Sequence, residues 1–458
     1  MLEIRLRSDV GYPQPFRDVS LDGVFTAPSG RTTEVPGFWA GDGVWCLRHA
    51  SAEVGVHRFR TRCSDAGNAG LHGRSGELVV VPYTGANPLY RHGPIQVAPD
   101  RRHFCHADGT PFFWLGDTWW MGLCRRLGWP EDFQRLAHHR KAQGFNVIQL
   151  VAGLYPDMPL FDERGRSESG FCWETDLSAI NPRFFDEADQ KMLHLVEQGL
   201  VPCILGAWGY YLPLLGEDRM LLHWRYLMAR WAALPVVLVA AGEQTLPWYL
   251  ENPAQKRVSE RRQKQDWSRV MAHMRAINGF GRLISTHPVT SAQASVTDVS
   301  LLDFEMQQTN HGLPTAHHAA RGREGWRQQP PMPVISAESR YEALEIEPPV
   351  MARDAREAFW AHTLSSGLAG HTYGANGVWQ VNTREQPFGA SPSGLCWGHL
   401  PWNEAMHLPG ASHIGQARRF IETLPWHGMR PQGLAGMRMA DGLRAWPRLQ
   451  RLAARLGW

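Results

Sequence analysis

Val236-Val237-Leu238-Val239-Ala240-Ala241-Gly242-Glu243-Gln244 is the stretch on which the fold turns. Its apolar half is short, rich in valine and free of alternation. That is the pattern of a strand buried on both faces. It ends on a glycine followed by a carboxylate. Runs of the same kind recur on both sides of it, at residues 112–115, 145–151 and 201–206, then at 283–286, 301–306, 334–337 and 368–373. Helical patterns lie between them. Asn181 can cap a helix that opens on Pro182 and stops at Gly199, with Phe185, Ala188, Met192 and Val196 on one face. Pro130 and Gly144 bracket another that carries Phe133, Leu136 and Ala137, and residues 220–234 and 354–365 read as two more. Strands alternating with helices imply a parallel sheet. Eight such units predict an α/β fold, a (β/α)8 TIM barrel, over residues 100–430.

Ahead of the barrel, residues 1–84 read as all-β. Short runs at 19–21, 44–47, 56–61 and 77–81 are separated by turn chemistry such as Pro28-Ser29-Gly30 and Asp65-Ala66-Gly67-Asn68. The spacing predicts a small Ig-like sandwich. Residues 85–99 read as a turn-rich linker and 431–458 as a short C-terminal tail.

Composition narrows the function. Of 458 residues, 43% are apolar and 20% charged, which supports a large core rather than disorder. Lys plus Arg number 47 against 44 Asp plus Glu, so no nucleic-acid partner is expected. The longest uncharged apolar stretch, 200–216, contains Pro202 and Pro213 and is too short to span a bilayer, so no membrane partner is expected either. Seven cysteines at irregular spacing, with no CxxC, indicate neither a zinc ribbon nor a disulfide framework. Met1-Leu2-Glu3-Ile4-Arg5-Leu6-Arg7 holds no apolar signal segment. The expectation is a cytoplasmic protein, or a secreted or periplasmic one if a leader has been removed.

In a (β/α)8 barrel the chemistry sits at the C-terminal ends of the strands. Those ends carry Asp117, Trp119 and Trp120 after strand one, Asn146 in strand two and Trp208 after strand three. Glu243 follows strand four and His287 strand five. His311 follows strand six, Glu338, Arg340 and Tyr341 strand seven, and His371, Tyr373 and Trp379 strand eight. Two carboxyls facing each other across a barrel mouth are what glycosidic cleavage requires, at about 5–5.5 Å for a retaining enzyme. The dry wall before Glu243 would raise its pKa, as a general acid needs. Arg340 or Tyr341 would hold Glu338 ionised as the nucleophile. The tryptophans are sugar platforms or core, in about equal measure. Asp117 binds a hydroxyl or buttresses its loop. Asn146 is a structural amide or a ligand contact. His371 and Tyr373 touch ligand or support Glu338. The pairs His138-His139 and His317-His318 read as solvated helix faces, as do Lys256-Arg257 and Arg261-Arg262.

Two other functions compete. A metal-dependent hydrolase on this barrel wants His-x-His after strand one, where Asp117-Thr118-Trp119 stands instead, so no metal and no cofactor are expected. A catalytically inactive carbohydrate-binding barrel is the second.

The run Asp108-Gly109-Thr110-Pro111-Phe112-Phe113-Trp114-Leu115-Gly116-Asp117-Thr118 resembles the apiosidase-like barrels, glycoside hydrolase family 140 and its relatives. Gly144-Phe145-Asn146-Val147-Ile148-Gln149, Glu338 with Tyr341-Glu342, Gly370-His371-Thr372-Tyr373-Gly374 and Leu408-Pro409-Gly410-Ala411 match in the same order. Val35-Pro36-Gly37-Phe38 and Gly41-Asp42-Gly43 are similar to the Ig-like module that often precedes such barrels. The resemblance implies a carbohydrate substrate, with Glu338 at the nucleophile position and Glu243 at the acid/base position. It implies a glycoside derived from plant or microbial polysaccharide, such as a furanoside of apiose or arabinose. Apiosidases carry Asp where this chain has Glu243, which sets the proton donor on a longer arm. Relatives often carry a C-terminal β-domain, for which a tail of 431–458 leaves no room.

Overall fold

The computed structural model describes residues 1–431. The expected tail lies outside the described residues, except for residue 431.

Seven strands form the N-terminal part: β1 (Leu2–Arg7), β2 (Leu21–Thr26), β3 (Thr32–Pro36), β4 (Phe38–Gly41), β5 (Val44–His49), β6 (Gly55–Cys63) and β7 (Ser75–Val80). They make two antiparallel sheets, ordered β1-β5-β4 and β3-β2-β6-β7. Along β2 every second residue is buried, because one face looks onto a shared core of Leu21, Phe25, Val35, Trp45, Leu47 and Leu71. The sequence reading passes over β1, where Leu2, Ile4 and Leu6 alternate with charged residues, and β3, which carries Val35 among polar ones.

Residues 85–99 pack onto the barrel. Helix Pro88–Arg91 is capped by Asn87, whose amide also donates to Val196 O at 2.6 Å. Strands β8 (Ile95–Val97), β9 (Phe104–His106) and β10 (Pro111–Phe112) form a small meander. The sandwich is tied to the barrel by charge as well as packing. Arg48 of β5 and Arg230 of helix Glu217–Trp231 both bind the Asp189 carboxylate.

The barrel strands are β11 (Trp114–Thr118), β12 (Val147–Val151), β13 (Val201–Leu205), β14 (Val237–Val239), β15 (Ile284–Ser285), β16 (Glu305–Gln308), β17 (Val334–Glu338) and β18 (Gly370–Tyr373). All pair in parallel, in the order β15-β14-β13-β12-β11-β18-β17-β16. The seam between β15 and β16 is crossed by Asp303 N donating to Ile284 O and Ser285 Oγ donating to Phe304 O. This is the expected TIM barrel. Strand one starts later than expected, since Phe112 belongs to β10. Helix Pro182–Glu197 buries the predicted face and takes its cap from Asn181. Helix Glu131–Gln143 ends at Gly144, whose φ of +100° suits glycine.

One helix face departs from expectation. His318 is fully buried, with Thr309 Oγ1 at 2.9 Å from its Nδ1. Gly322 draws its helix, Thr315–Arg327, against helix Ala352–Ser366, where a Cβ would lie 2.8 Å from His362 O. Among the described residues no helix is long and apolar enough to cross a membrane.

Candidate active site

Beyond β14 the chain continues through Ala240, Ala241 and Gly242 to Glu243. A Cβ on Gly242 would sit 2.1 Å from the Trp208 ring, so only glycine lets that indole lie across the strand end. Glu243 itself has φ +40°, a left-handed conformation that costs a non-glycine residue on the order of 1–3 kcal/mol. Its Oε2 accepts from Trp208 Nε1 at 3.3 Å, and its Oε1 from Gln308 Nε2 at 2.8 Å.

Glu338 is the last residue of β17. The β16–β17 ladder shifts register between Gln307 and Gln308, and the shift sets Gln308 opposite Glu338. Gln308 Nε2 donates to Glu338 Oε1, also at 2.8 Å. One amide nitrogen thus holds both carboxyls. The two bonded oxygens can be separated by at most about 5.6 Å, twice the common bond length, which is short of the separation in inverting enzymes.

The environments of the two carboxyls differ. Burial raises the Glu243 pKa well above the usual carboxylate range, and the Glu338 charge raises it further. Burial would raise Glu338 too, but His311 outweighs it by hydrogen bond and charge, aided by His287 and Gln308. The Glu338 pKa ends below its ordinary value. His311 Nδ1 donates to Ser339 O at 2.6 Å, because a carbonyl can only accept. Its Nε2 then holds a second proton when it donates to ionised Glu338 Oε1, 3.0 Å away. Burial opposes that charge on His311, but the Glu338 hydrogen bond wins and raises its pKa. Glu338 Oε2 has no hydrogen-bond partner among the described residues, with His287 Nε2 at 3.4 Å. One carboxyl is driven toward the acid and its neighbour toward the anion.

Aromatic rings surround the pair. Trp120 meets Trp208 and His287 edge-on at 5.4 and 5.3 Å. Tyr341 lies 4.7 Å from the His311 ring, and its hydroxyl donates to Thr118 Oγ1. The structure therefore gathers Glu243, Glu338, Trp120, Trp208, His311 and Tyr341 into one cluster.

Other expected contacts lie elsewhere. Asp117 is fully buried and accepts from Arg140 Nε at 2.6 Å and Trp119 Nε1 at 2.7 Å. Neither Asp117 nor Trp119 is free for a sugar. Asn146 clips two backbone groups, accepting from Leu115 N and donating to Phe113 O. Tyr373 donates to Glu342 Oε2 at 2.6 Å. His371 is buried beside Ser339 Oγ and the Phe359 ring, and Trp379 is buried against Phe388. Arg340 turns away from Glu338 to Leu313 O and Asp354. The residues that sequence reasoning missed are Gln308, Asp157, Tyr249 and Trp397. Breaking the Asp117–Arg140 pair should be costly, since the abandoned guanidinium is wholly buried. Asp117→Ala is expected to lose about 3–5 kcal/mol in urea unfolding. A loss under about 1 kcal/mol would show that the pair contributes little.

Residues 98–428 match the family described as apiosidase-like, catalytic domain. The chain belongs to the apiosidase-like family. This is a family of glycoside hydrolases, so the barrel is an enzyme's catalytic domain. Residues 1–64 match a domain of unknown function, DUF5060. A putative glycoside hydrolase from Bacteroides vulgatus is similar, with 19% identity and a TM-score of 0.67 over 93% of this chain and 78% of that one. A family 5 glycoside hydrolase from the same organism shares 20% identity with a TM-score of 0.57, over 74% of each chain. At these identities both likenesses speak for the fold. No curated protein matches this apiosidase-like chain.

Proposed function

We propose that the protein is a retaining glycoside hydrolase with Glu338 as nucleophile and Glu243 as acid/base. The observation that carries this reading is the single Gln308 nitrogen bonded to both carboxyls, one pushed toward protonation and the other toward ionisation. The Glu338 carboxylate attacks the anomeric carbon as the glycosidic C–O bond breaks, and the Glu243 proton passes to the departing oxygen. A glycosyl ester remains on Glu338. Glu243, now a carboxylate, takes a proton from water. That water attacks the same carbon, the ester bond breaks, and both carboxyls return to their starting states. Trp120 and Trp208, both buried, wall the carboxyl pair.

Family membership supports a furanoside of polysaccharide origin, of apiose or arabinose, as the substrate. We divide the chain into a sandwich over 1–84, a connector over 85–99 and the catalytic barrel over 100–430. All seven cysteines are free, which supports a reducing, cytoplasmic site of action. The test is a panel of aryl furanosides and pyranosides, with the anomer first released read by proton NMR. Retained configuration is expected. Inversion refutes the double displacement, and binding without turnover favours an inactive carbohydrate receptor.

The kcat/KM profile should be bell-shaped, because activity needs Glu338 ionised and Glu243 protonated. The acid limb belongs to Glu338 and the alkaline limb to Glu243, each drawn outward by its surroundings. His311→Gln removes the cation that lowers Glu338, so the acid limb should move to higher pH. An unmoved limb would detach His311 from the Glu338 ionisation.

A further inference from the structure

We propose that Asp157, Tyr249 and Trp397 form a sugar-binding clamp beside the carboxylate pair, shaped for an uncharged ring, in which Asp157 sets discrimination against acidic sugars. The proposal rests on the glycosidase reading above and adds a recognition site to it.

Three loops meet at this one carboxylate. Asp157 follows β12, Tyr249 follows β14 and Trp397 lies in the long segment after β18. Tyr249 Oη donates to Asp157 Oδ1 at 2.7 Å, and Trp397 Nε1 donates to Oδ2 at 3.1 Å. Asp157 has φ +58°, so a sparsely used backbone conformation fixes its direction. The carboxylate is buried, while both rings stay half-buried. Trp397 meets the His311 ring at 5.5 Å and 74°, and His311 is the partner of Glu338. The clamp therefore abuts the nucleophile through one imidazole.

A buried acid that orients two aromatic rings suits the two surfaces of a sugar. Its C–H face packs on an aromatic ring, and its hydroxyls donate to the carboxylate lone pairs that Tyr249 and Trp397 leave free. Charge decides which sugars fit. Burial raises the Asp157 pKa, the two aromatic donors lower it, and the Glu338 charge raises it again, so the acids share one field. His311 and Arg164 are the cations set against them, and both are engaged. His311 binds Glu338 and Ser339 O. Arg164 binds Asp162, Phe388 O and Ala390 O. A ring bearing its own carboxylate would bring a further negative charge against Asp157, where these two cations are already engaged.

The test uses the full chain with para-nitrophenyl glycosides of neutral furanoses and pyranoses, and with the para-nitrophenyl uronides. Wild type should favour the neutral set. Asp157→Asn is expected to cut the neutral-to-uronide ratio of kcat/KM about tenfold, with the alkaline limb moved to lower pH because the Asp157 charge helps to hold Glu243 protonated. Trp397→Ala is expected to raise KM for neutral glycosides about tenfold with kcat little changed, and Trp397→Phe to recover part of that. An unchanged ratio in Asp157→Asn, or a wild-type preference for uronides, overturns the proposal. If Asp157→Asn does not fold, an unchanged KM in Trp397→Ala overturns it instead. If wild type hydrolyses none of the panel, the glycosidase reading falls and calorimetric titration with the same glycosides decides the clamp. Neutral glycosides that bind, and bind more weakly to Trp397→Ala, support it. No binding overturns it.

Discussion

Glu338→Gln is expected to lose about three to five orders of magnitude in kcat while the protein stays folded. The amide keeps the shape of the side chain, and its carbonyl oxygen can still accept from Gln308 and His311. Circular dichroism and the melting midpoint should therefore change little. What goes is the negative charge of the carboxylate that attacks carbon, whose Oε2 is buried without a hydrogen-bond partner among the described residues. A shorter variant extends the test. Glu338→Ala opens space on the nucleophile's face of the sugar, where added azide can attack the anomeric carbon directly. Its glycosyl azide should then carry the opposite configuration to the substrate. In Glu243→Ala, azide can only take over the second step from the glycosyl ester, and the configuration should be retained. The reverse pairing of products would exchange the two roles. Loss of kcat below about tenfold in Glu338→Gln would remove Glu338 from the chemistry.

The barrel was legible because its strands are buried on both faces. Such strands are largely apolar, and β12, β13 and β17 are buried throughout, with Gln149 and Ser336 as polar residues inside them. Glu243 and Glu338 stand out because each closes such a run with a charge. Asp117 closes one too and misleads, since a strand's side chains alternate. Thr118 faces Tyr341 and Gln149 inside the barrel, while Asp117 faces Arg140 on helix Glu131–Gln143. The sequence holds the alternation but not its phase. Gln308 was hidden for another reason. Gln307 and Gln308 are adjacent and alike. A register shift sends Gln308 to the carboxyls and leaves Gln307 bonded to His362 in the interior. Asp157, Tyr249 and Trp397 come from three loops of irregular length, and nothing in their spacing brings them together.

Glu243→Gln should divide substrates by their leaving groups. A dinitrophenolate departs without help, so its first step needs no proton, and kcat/KM should stay within about tenfold of wild type. An unsubstituted phenol or a second sugar cannot depart as an anion at neutral pH, and its kcat/KM should fall about a hundredfold to ten-thousandfold, the range that general acid catalysis supplies. The second step suffers for every substrate, because the base that activates water is also gone. A dinitrophenyl glycoside should therefore show a burst of phenolate equal to the enzyme present, followed by slow turnover of the glycosyl ester. The alkaline limb of the pH profile should vanish on the good leaving group, since its cause was deprotonation of Glu243. The strained backbone at φ +40° is unchanged by the swap, but Gln can keep only one of the bonds from Trp208 and Gln308, because its amide nitrogen cannot accept the other. Some loss of positioning is thus common to all substrates, and the diagnostic quantity is the steepness with leaving-group acidity. Equal losses on dinitrophenyl and phenyl glycosides would mean that Glu243 orients the sugar without passing it a proton.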